Sequence, residues 1–282
     1  MATTTPTSLV ERVLGRPEHP IDLGPLLERL EGEAILVTGA EGSIGSVVSE
    51  LLPVNTPVLP LDIGGMDVRD FDAVTDIVES FQPSLVLHLA GAKHAPDGEL
   101  DPEGTFLTNV VGTQNVLYAA GRVRARVVTA STCKACDPET VYGATKLLAE
   151  RLTLHAGGSV ARFFNVVESS GNVFRLWEGL DEWAAVPVTP CSRWFITLRE
   201  AAALVVAAAV EPAGRYAVYP GERPRPMPSV AAALYPDRPQ AFIPVRRGDR
   251  LEEPMHARSE RVSHVNGWMW RVHSTHDAPE VA

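Results

Sequence analysis

Two short runs in the middle of the chain hold side chains able to move a proton: Ser131-Thr132-Cys133-Lys134 and, after a short gap, Tyr142-Gly143-Ala144-Thr145-Lys146. On a helix, residues four apart share a face, so Tyr142 and Lys146 are neighbours. A cationic Lys146 beside Tyr142 is expected to lower the phenol from its ordinary pKa of about 10 towards working pH. A phenolate there takes the proton from a hydroxyl while a nicotinamide takes the hydride. Cys133 and Cys136 also form a C-x-x-C spacing. A zinc or redox reading needs partners, only Cys191 remains, and no metal site is predicted.

A second chemical feature lies a hundred residues earlier. Thr38-Gly39-Ala40-Glu41-Gly42-Ser43-Ile44-Gly45 follows the apolar run Ala34–Val37 and opens a helical pattern at Ser46–Leu52. Glycines between a strand and a helix let backbone N–H groups approach a pyrophosphate at the helix N-terminus. Gly39, Gly42, Ser43, Ile44 and Gly45 are therefore candidate cofactor contacts. Asp62 ends the next strand pattern, where a carboxylate binds an adenosine ribose, which favours NAD over NADP. Asp67 and the Val68 backbone are candidate adenine contacts. Only Ile63–Met66 separates Asp62 from Asp67, so Asp62 capping a turn, with Arg69 meeting a 2′-phosphate, is the competing reading.

These residues need a scaffold that brings strand ends together. Apolar runs at 34–38, 57–62, 84–90, 125–130 and 160–164 alternate with helical patterns at 71–81, 105–120 and 141–154. That alternation predicts an α/β fold, a Rossmann-type doubly wound parallel sheet. The pattern degrades after residue 166 into a small, irregular substrate-binding region rich in Pro and Gly. The expected organisation is a lead-in over 1–33, a dinucleotide-binding domain over 34–165 to which 194–220 returns, a substrate-binding region over 166–193 and 221–265, and a loose tail over 266–282.

The chain has 282 residues, 45% hydrophobic and 21% charged, with net charge −10. An acidic chain argues against a nucleic-acid partner. The most apolar run, Ala201–Val210, follows Leu198-Arg199-Glu200 and reads as a buried helix, too short to span a bilayer. Three cysteines and no apolar leader point to the cytoplasm.

Taken together, Gly39-x-x-Gly42-x-x-Gly45 and Tyr142-x-x-x-Lys146 resemble the extended short-chain dehydrogenase/reductases acting on nucleotide sugars. Within them the chain is most similar to the UDP-N-acetylglucosamine 4,6-dehydratase and CapD-type polysaccharide-biosynthesis branch. The blocks carrying this are Leu14–Pro17, His88–Pro96, Asn109–Thr113, Arg162–Val166, Ser192–Thr197 and Arg246–Leu251. The resemblance implies C4 oxidation of a UDP-sugar such as UDP-GlcNAc, C5 deprotonation, and loss of the C6 hydroxyl as water. A 4- or 5-epimerase is the alternative, and a non-catalytic dinucleotide-binding protein the second.

By that resemblance Tyr142 is the first base, Thr132 orients the C4 hydroxyl, and Lys134 matches a lysine expected to be a second base with a lowered pKa. Cys133 replaces an aspartate and either donates the proton or leaves the reaction at another product. Glu139 and Glu168 are spare carboxylates. Ala90, Gly91 and Ala92 face the cofactor. Lys93, His94, Ser131, Asn165, Arg246 and Asp249 face the substrate. Homo-oligomers, dimers or higher, are expected through helices 105–120 and 141–154.

Overall fold

The computed structural model describes residues 8–246 and 248–277. Eight strands form its main sheet: β1 (Ile35–Thr38), β2 (Val58–Leu61), β3 (Leu85–His88), β4 (Arg126–Thr132), β5 (Ser159–Phe163), β6 (Arg215–Val218), β7 (Glu260–His264) and β8 (Met269–Ser274). Their order across the sheet is β7-β8-β6-β5-β4-β3-β1-β2. The six strands from β6 to β2 run parallel, and β8 then β7 add antiparallel at one edge. The chain reverses its direction of winding between β1 and β3, the place where open α/β sheets bind ligands.

Side chains alternate between two apolar layers, as the strand period requires. Ile35 and Val37 point into the layer under α1 (Ser43–Leu51) and the later helix Leu198–Val210, while Leu36 points the other way, towards Val74, Val78, Val116 and Ala119. The second layer holds α2 (Phe71–Phe81), α3 (Gly112–Val123) and α4 (Val141–His155). Burial on both faces explains why the parallel strands read as continuous apolar runs. The Leu198–Val210 helix is buried from Glu200 to Val210 and starts with a capping box between Thr197 and Glu200.

Three expectations change. The pattern over 105–120 is helical throughout, but a π-helical turn at Leu107–Val111 interrupts its α spacing between Pro102–Phe106 and α3. The stretch expected as a loose tail contributes a strand, Met269–Ser274, which pairs with β6, and Glu260–His264, expected in the substrate-binding region, pairs with it in turn. The last five residues lie outside the described chain. The lead-in helix Leu9–Leu14 joins neither sheet layer; Val13 and Leu14 pack with Phe174, Trp177 and Val230 in a separate core under the irregular region.

Beneath β4 and β5 lies a dry cluster of charges. Arg162, 0% exposed, forks between Glu150 at 2.6 Å and Glu260 at 2.7 Å. Arg215 reaches Glu150 at 2.7 Å, and the Ser131 hydroxyl donates to Glu150 at 2.6 Å. Burial alone would raise the Glu150 carboxyl, but Arg162 and Arg215 with Ser131 draw its pKa down to about 2. The network joins β4, α4, β5, β6 and the edge hairpin.

Candidate functional site

A cavity of about 670 Å³ opens over the carboxyl ends of β1, β3 and β4. Gly39, Gly42, Ser43, Ile44 and Gly45 line it, with Asp62, Asp67 and Val68 on one side and Ala90, Gly91, Ala92 and Lys93 on another. Ser131, Tyr142 and Lys146 close its floor. Gly39 has φ +72°, and a Cβ there would lie 2.6 Å from the Ala90 nitrogen. One on Gly45 would lie 2.1 Å from the Gly39 carbonyl oxygen, so neither position admits a side chain. Gly42 is the N-cap of α1 and supplies no side chain to cap it. The first amides of the helix thus face the cavity with their partial positive charge, a fit for a dinucleotide's pyrophosphate.

The acids at the far end divide their work. Asp62 lines the cavity and also accepts the amides of Glu41 at 3.0 Å and Ile63 at 2.8 Å. It is both turn cap and cavity wall, while the Arg69 of the competing reading is paired with Asp67. Arg69 is held on Asp67 through Nε at 2.9 Å, and this bond draws the Asp67 carboxyl below its usual range.

Tyr142 and Lys146 lie on the first turns of α4, both buried, with Thr140 capping the helix through the Gly143 amide at 3.0 Å. The expected electrostatics do not hold. Burial raises the Tyr142 phenol, and what opposes that rise is the charge of Lys134 and the hydrogen bond to Thr132. Lys146 is instead depressed to about 8 by burial, with Glu150 partly opposing. Its ammonium nitrogen sits by Gly91, 3.5 Å from where a Cβ would be. The π-helical turn aims buried Asn109 at the same place: it accepts the Ala92 amide at 2.9 Å and donates to Thr145 at 3.1 Å. Asn109 thereby ties the Gly91–Ala92 wall to the Tyr142 helix. π-Turns of this kind recur at functional sites.

Beyond Tyr142 the structure departs from the sequence reading most. Cys133 is 0% exposed and does not line the cavity; its thiol donates to Glu253 at 3.5 Å. Burial, then the Glu253 charge, pushes the thiol up to about 12. A sealed thiol cannot hand a proton to a ligand in the cavity, so Cys133 is not placed as the acid. Lys134 is also corrected. Its desolvation would lower the ammonium, but Glu253 at 2.7 Å outweighs this and holds it above the ordinary lysine value. It is a held cation, not the low-pKa base expected.

Glu253, absent from the sequence reading, is therefore the residue around which this end is built. It is 2% exposed, accepts from Asn165 at 2.7 Å, and faces Arg193 at 3.5 Å. Trp194 pins its backbone carbonyl at 3.0 Å. The available signal was a Glu-Glu pair directly after the Arg246–Leu251 block.

The remaining expected substrate contacts scatter. Lys93 lines the cavity and donates to Ser170 at 2.9 Å, whose amide is held by Ser43 at 2.9 Å. His94 is exposed beside Gly171. Ser131 touches the cavity, but its hydroxyl is committed to Glu150. Asn165 sits with Lys134 and Glu253 rather than in the cavity wall. Arg246 bonds Asp249 at 2.8 Å, and Asp249 in turn faces Arg193 at 4.0 Å. Glu139 is 73% exposed on Arg250, and Glu168 accepts the Leu198 amide at 2.9 Å, so neither spare carboxylate approaches Tyr142. The three cysteines are free, and among the described residues no cluster could hold a metal. No helix among them is long and apolar enough to cross a membrane.

A doubly wound sheet with a glycine turn at its switch point and a Tyr-x-x-x-Lys helix beside it defines an extended short-chain dehydrogenase/reductase class of protein. The chain matches the family described as "Polysaccharide biosynthesis protein" over residues 63–269, and it belongs to that family. It is 30% identical to the "Probable polysaccharide biosynthesis protein EpsC" of Bacillus subtilis (strain 168), over 73% of this chain but only 40% of that protein. It is 28% identical to the "UDP-N-acetylglucosamine 4,6-dehydratase (inverting)" of Campylobacter jejuni subsp. jejuni serotype O:2, over 78% of this chain and 76% of that one. In fold it resembles Pen from Bacillus thuringiensis, with a TM-score of 0.75 at 23% identity, covering 87% of this chain and 89% of that one.

Proposed function

We propose that the chain is an NAD(P)-dependent dehydratase acting on a UDP-N-acetylhexosamine of the UDP-GlcNAc type. The observation that carries this is the placement of Tyr142 on the floor of the glycine-turn cavity, with the charge of Lys134 bearing on it. The similarity to a named UDP-N-acetylglucosamine dehydratase supports the substrate class. A nicotinamide, when bound, supplies the acceptor for the C4 hydride. Gly39–Gly45 hold its pyrophosphate. Asp62 takes a ribose hydroxyl, and because Arg69 is spent on Asp67, NAD is favoured over NADP. Lys146 orients the cofactor from the Gly91 side.

Tyr142 accepts the C4 hydroxyl proton, with Thr132 orienting that hydroxyl. The charge of Lys134 favours the phenolate that this demands. Once C4 is a ketone, the C5 proton is acidified; its loss expels the C6 hydroxyl as water, and the hydride held on a bound nicotinamide would return to C6 with a proton to C5, so that the product is lighter by one water and the cofactor ends oxidised.

In this reading residues 34–165 bind the dinucleotide and the region after 166 covers the sugar. Three buried free cysteines favour a reducing cytoplasm. Exposed Phe71, Phe106, Tyr118 and Leu148 on the second helix layer favour a homo-oligomer. Incubation of the purified protein with NAD and UDP-GlcNAc should yield a product lighter by one water. An unchanged mass with inverted stereochemistry would favour the epimerase instead. Cofactor bound with no turnover of any sugar nucleotide would mark a non-catalytic binder.

A further inference from the structure

Lys134 is one of only three lysines in the chain, and all three, with Lys93 and Lys146, surround the site; every other basic side chain among the 25 Lys and Arg is arginine. Arginine stays charged almost regardless of surroundings, whereas lysine can be tuned by what it touches. What Lys134 touches is specific. Its side chain is 22% exposed, and its ammonium is held by Glu253 at 2.7 Å, with the Asn165 amide oxygen at 3.4 Å. Glu253 is in turn oriented by Asn165 at 2.7 Å, by the Cys133 thiol at 3.5 Å and by Arg193 at 3.5 Å.

We propose that Glu253 is a positioning residue for the reaction, fixing Lys134 as an ammonium whose charge bears on Tyr142, and that Cys133 serves only as a neutral hydrogen-bond donor to that carboxylate. This rests on the dehydratase reading above and gives it the carboxylate that position 133 lacks. The space between Cys133 and Lys134 holds one negative charge. It is delivered from the far region of the chain, 120 residues away, rather than from the catalytic loop. A fixed ammonium favours the Tyr142 phenolate that takes the C4 hydroxyl proton. The groups bearing on Lys134 are Glu253, Cys133 and Tyr142, with Arg193 acting on Glu253 from its far side. Of these only Glu253 is an anion at neutral pH, so it sets the lysine's charge.

The test uses the full-length protein in two readouts. The first is acylation of amines followed by peptide mapping, which three lysines make unambiguous. At about pH 9, Lys134 should label several-fold more slowly than exposed Lys93 in the native protein, because only free amine reacts. Glu253→Gln should raise the Lys134 rate by about fivefold or more while leaving Lys93 unchanged. The second readout is the pH profile of dehydration. Glu253→Gln should move its alkaline limb to lower pH and cut kcat about tenfold to a hundredfold, with KM changing less than about threefold.

Adding Cys133→Asp should restore much of that loss, because a carboxylate from 133 reaches the vacated space. In the native background Cys133→Asp should impair turnover, since two buried carboxylates would then compete for one cation. Native Lys134 labelling as fast as Lys93, or a Glu253→Gln profile that superimposes on the native one, would overturn the proposal. Should Glu253→Gln fail to fold, Glu253→Asp and native labelling decide. A native protein that turns over no UDP-sugar would sink the dehydratase reading, while the labelling contrast would still report on the ion pair.

Discussion

Two buried charge clusters flank the Ser131–Lys134 loop, and they are built on opposite logic. Under the sheet, Arg162 and Arg215 meet Glu150 and Glu260 with every one of the four side chains no more than 4% exposed. On the other side of the loop, Lys134 keeps 22% of its side chain open while its partner Glu253 is sealed at 2%. The first cluster shares each charge among several partners and leaves nothing to offer a ligand. The second leaves one cation half turned outward. Burial of charge alone does not distinguish scaffold from site; the asymmetry of exposure within the pair does. The first cluster holds the loop from below through Ser131, and the second loads it from above.

The comparison can be broken most severely through Tyr142, on which only the Lys134–Glu253 cluster bears. Tyr142→Phe should lower turnover by about 10³-fold or more while unfolding midpoints stay within about 1 kcal/mol, checked by steady-state rates beside urea denaturation. Arg162→Met should do the reverse. It leaves Glu150 and Glu260 with Arg215 as their one shared cation and should cost about 3 kcal/mol of stability, read from the same denaturation curves.

Acid should find the sealed cluster next. The folded pKa of Glu150, about 2, lies below its ordinary 4.5. Its contribution is therefore complete above the ordinary glutamate range and is lost as pH falls through that range towards the folded value. The linkage amounts to about 3 kcal/mol at most. Arg162→Met should flatten this acid limb, and an unchanged limb would show that Glu150 draws its stabilisation elsewhere.

The smallest effect is expected from Cys133→Ala. It removes a buried sulfur for about 1–2 kcal/mol of stability and should change kcat less than about threefold. A hundredfold loss would return the thiol to the chemistry.

How much of this was readable depended on distance along the chain. The glycine turn and the Tyr142–Lys146 pair are local spacings, and the cavity gathers both. Burial of the Leu198–Val210 helix was legible in its unbroken Ala and Val. The edge hairpin was missed although its signal was present: Asn266-Gly267 divides two alternating runs, and Asn266 accepts the amides of Trp268 and Met269. The π-turn at Leu107–Val111 leaves no periodic trace, since helical spacing continues on both sides. Glu253 could not be read as Lys134's partner, because pairing across the fold has no local spacing. Without that partner, a lysine in a buried loop reads as depressed rather than raised. The same blindness made Cys133 look like the proton donor: the sequence shows what stands next in line, not what arrives from elsewhere.

The strap that carries Glu253 also has a consequence in time. Residues 250–258 grip the catalytic loop at several points: Arg250 donates to the Cys136 carbonyl at 3.0 Å, and the Arg258 amide to Asp137 at 3.0 Å. A chain emerging from the ribosome has its glycine turn, Tyr142 and all three lysines well before it has residue 253. Until the strap docks, Lys134 sits in a pocket with no counter-charge, and the loop it belongs to is untied on its outer side. Long-range closure of this kind comes late in folding. In the reading proposed above, Lys134 would therefore gain its fixed charge only once residues 250–258 have docked, so a chain lacking them would carry the glycine turn and Tyr142 without the Lys134–Glu253 ion pair.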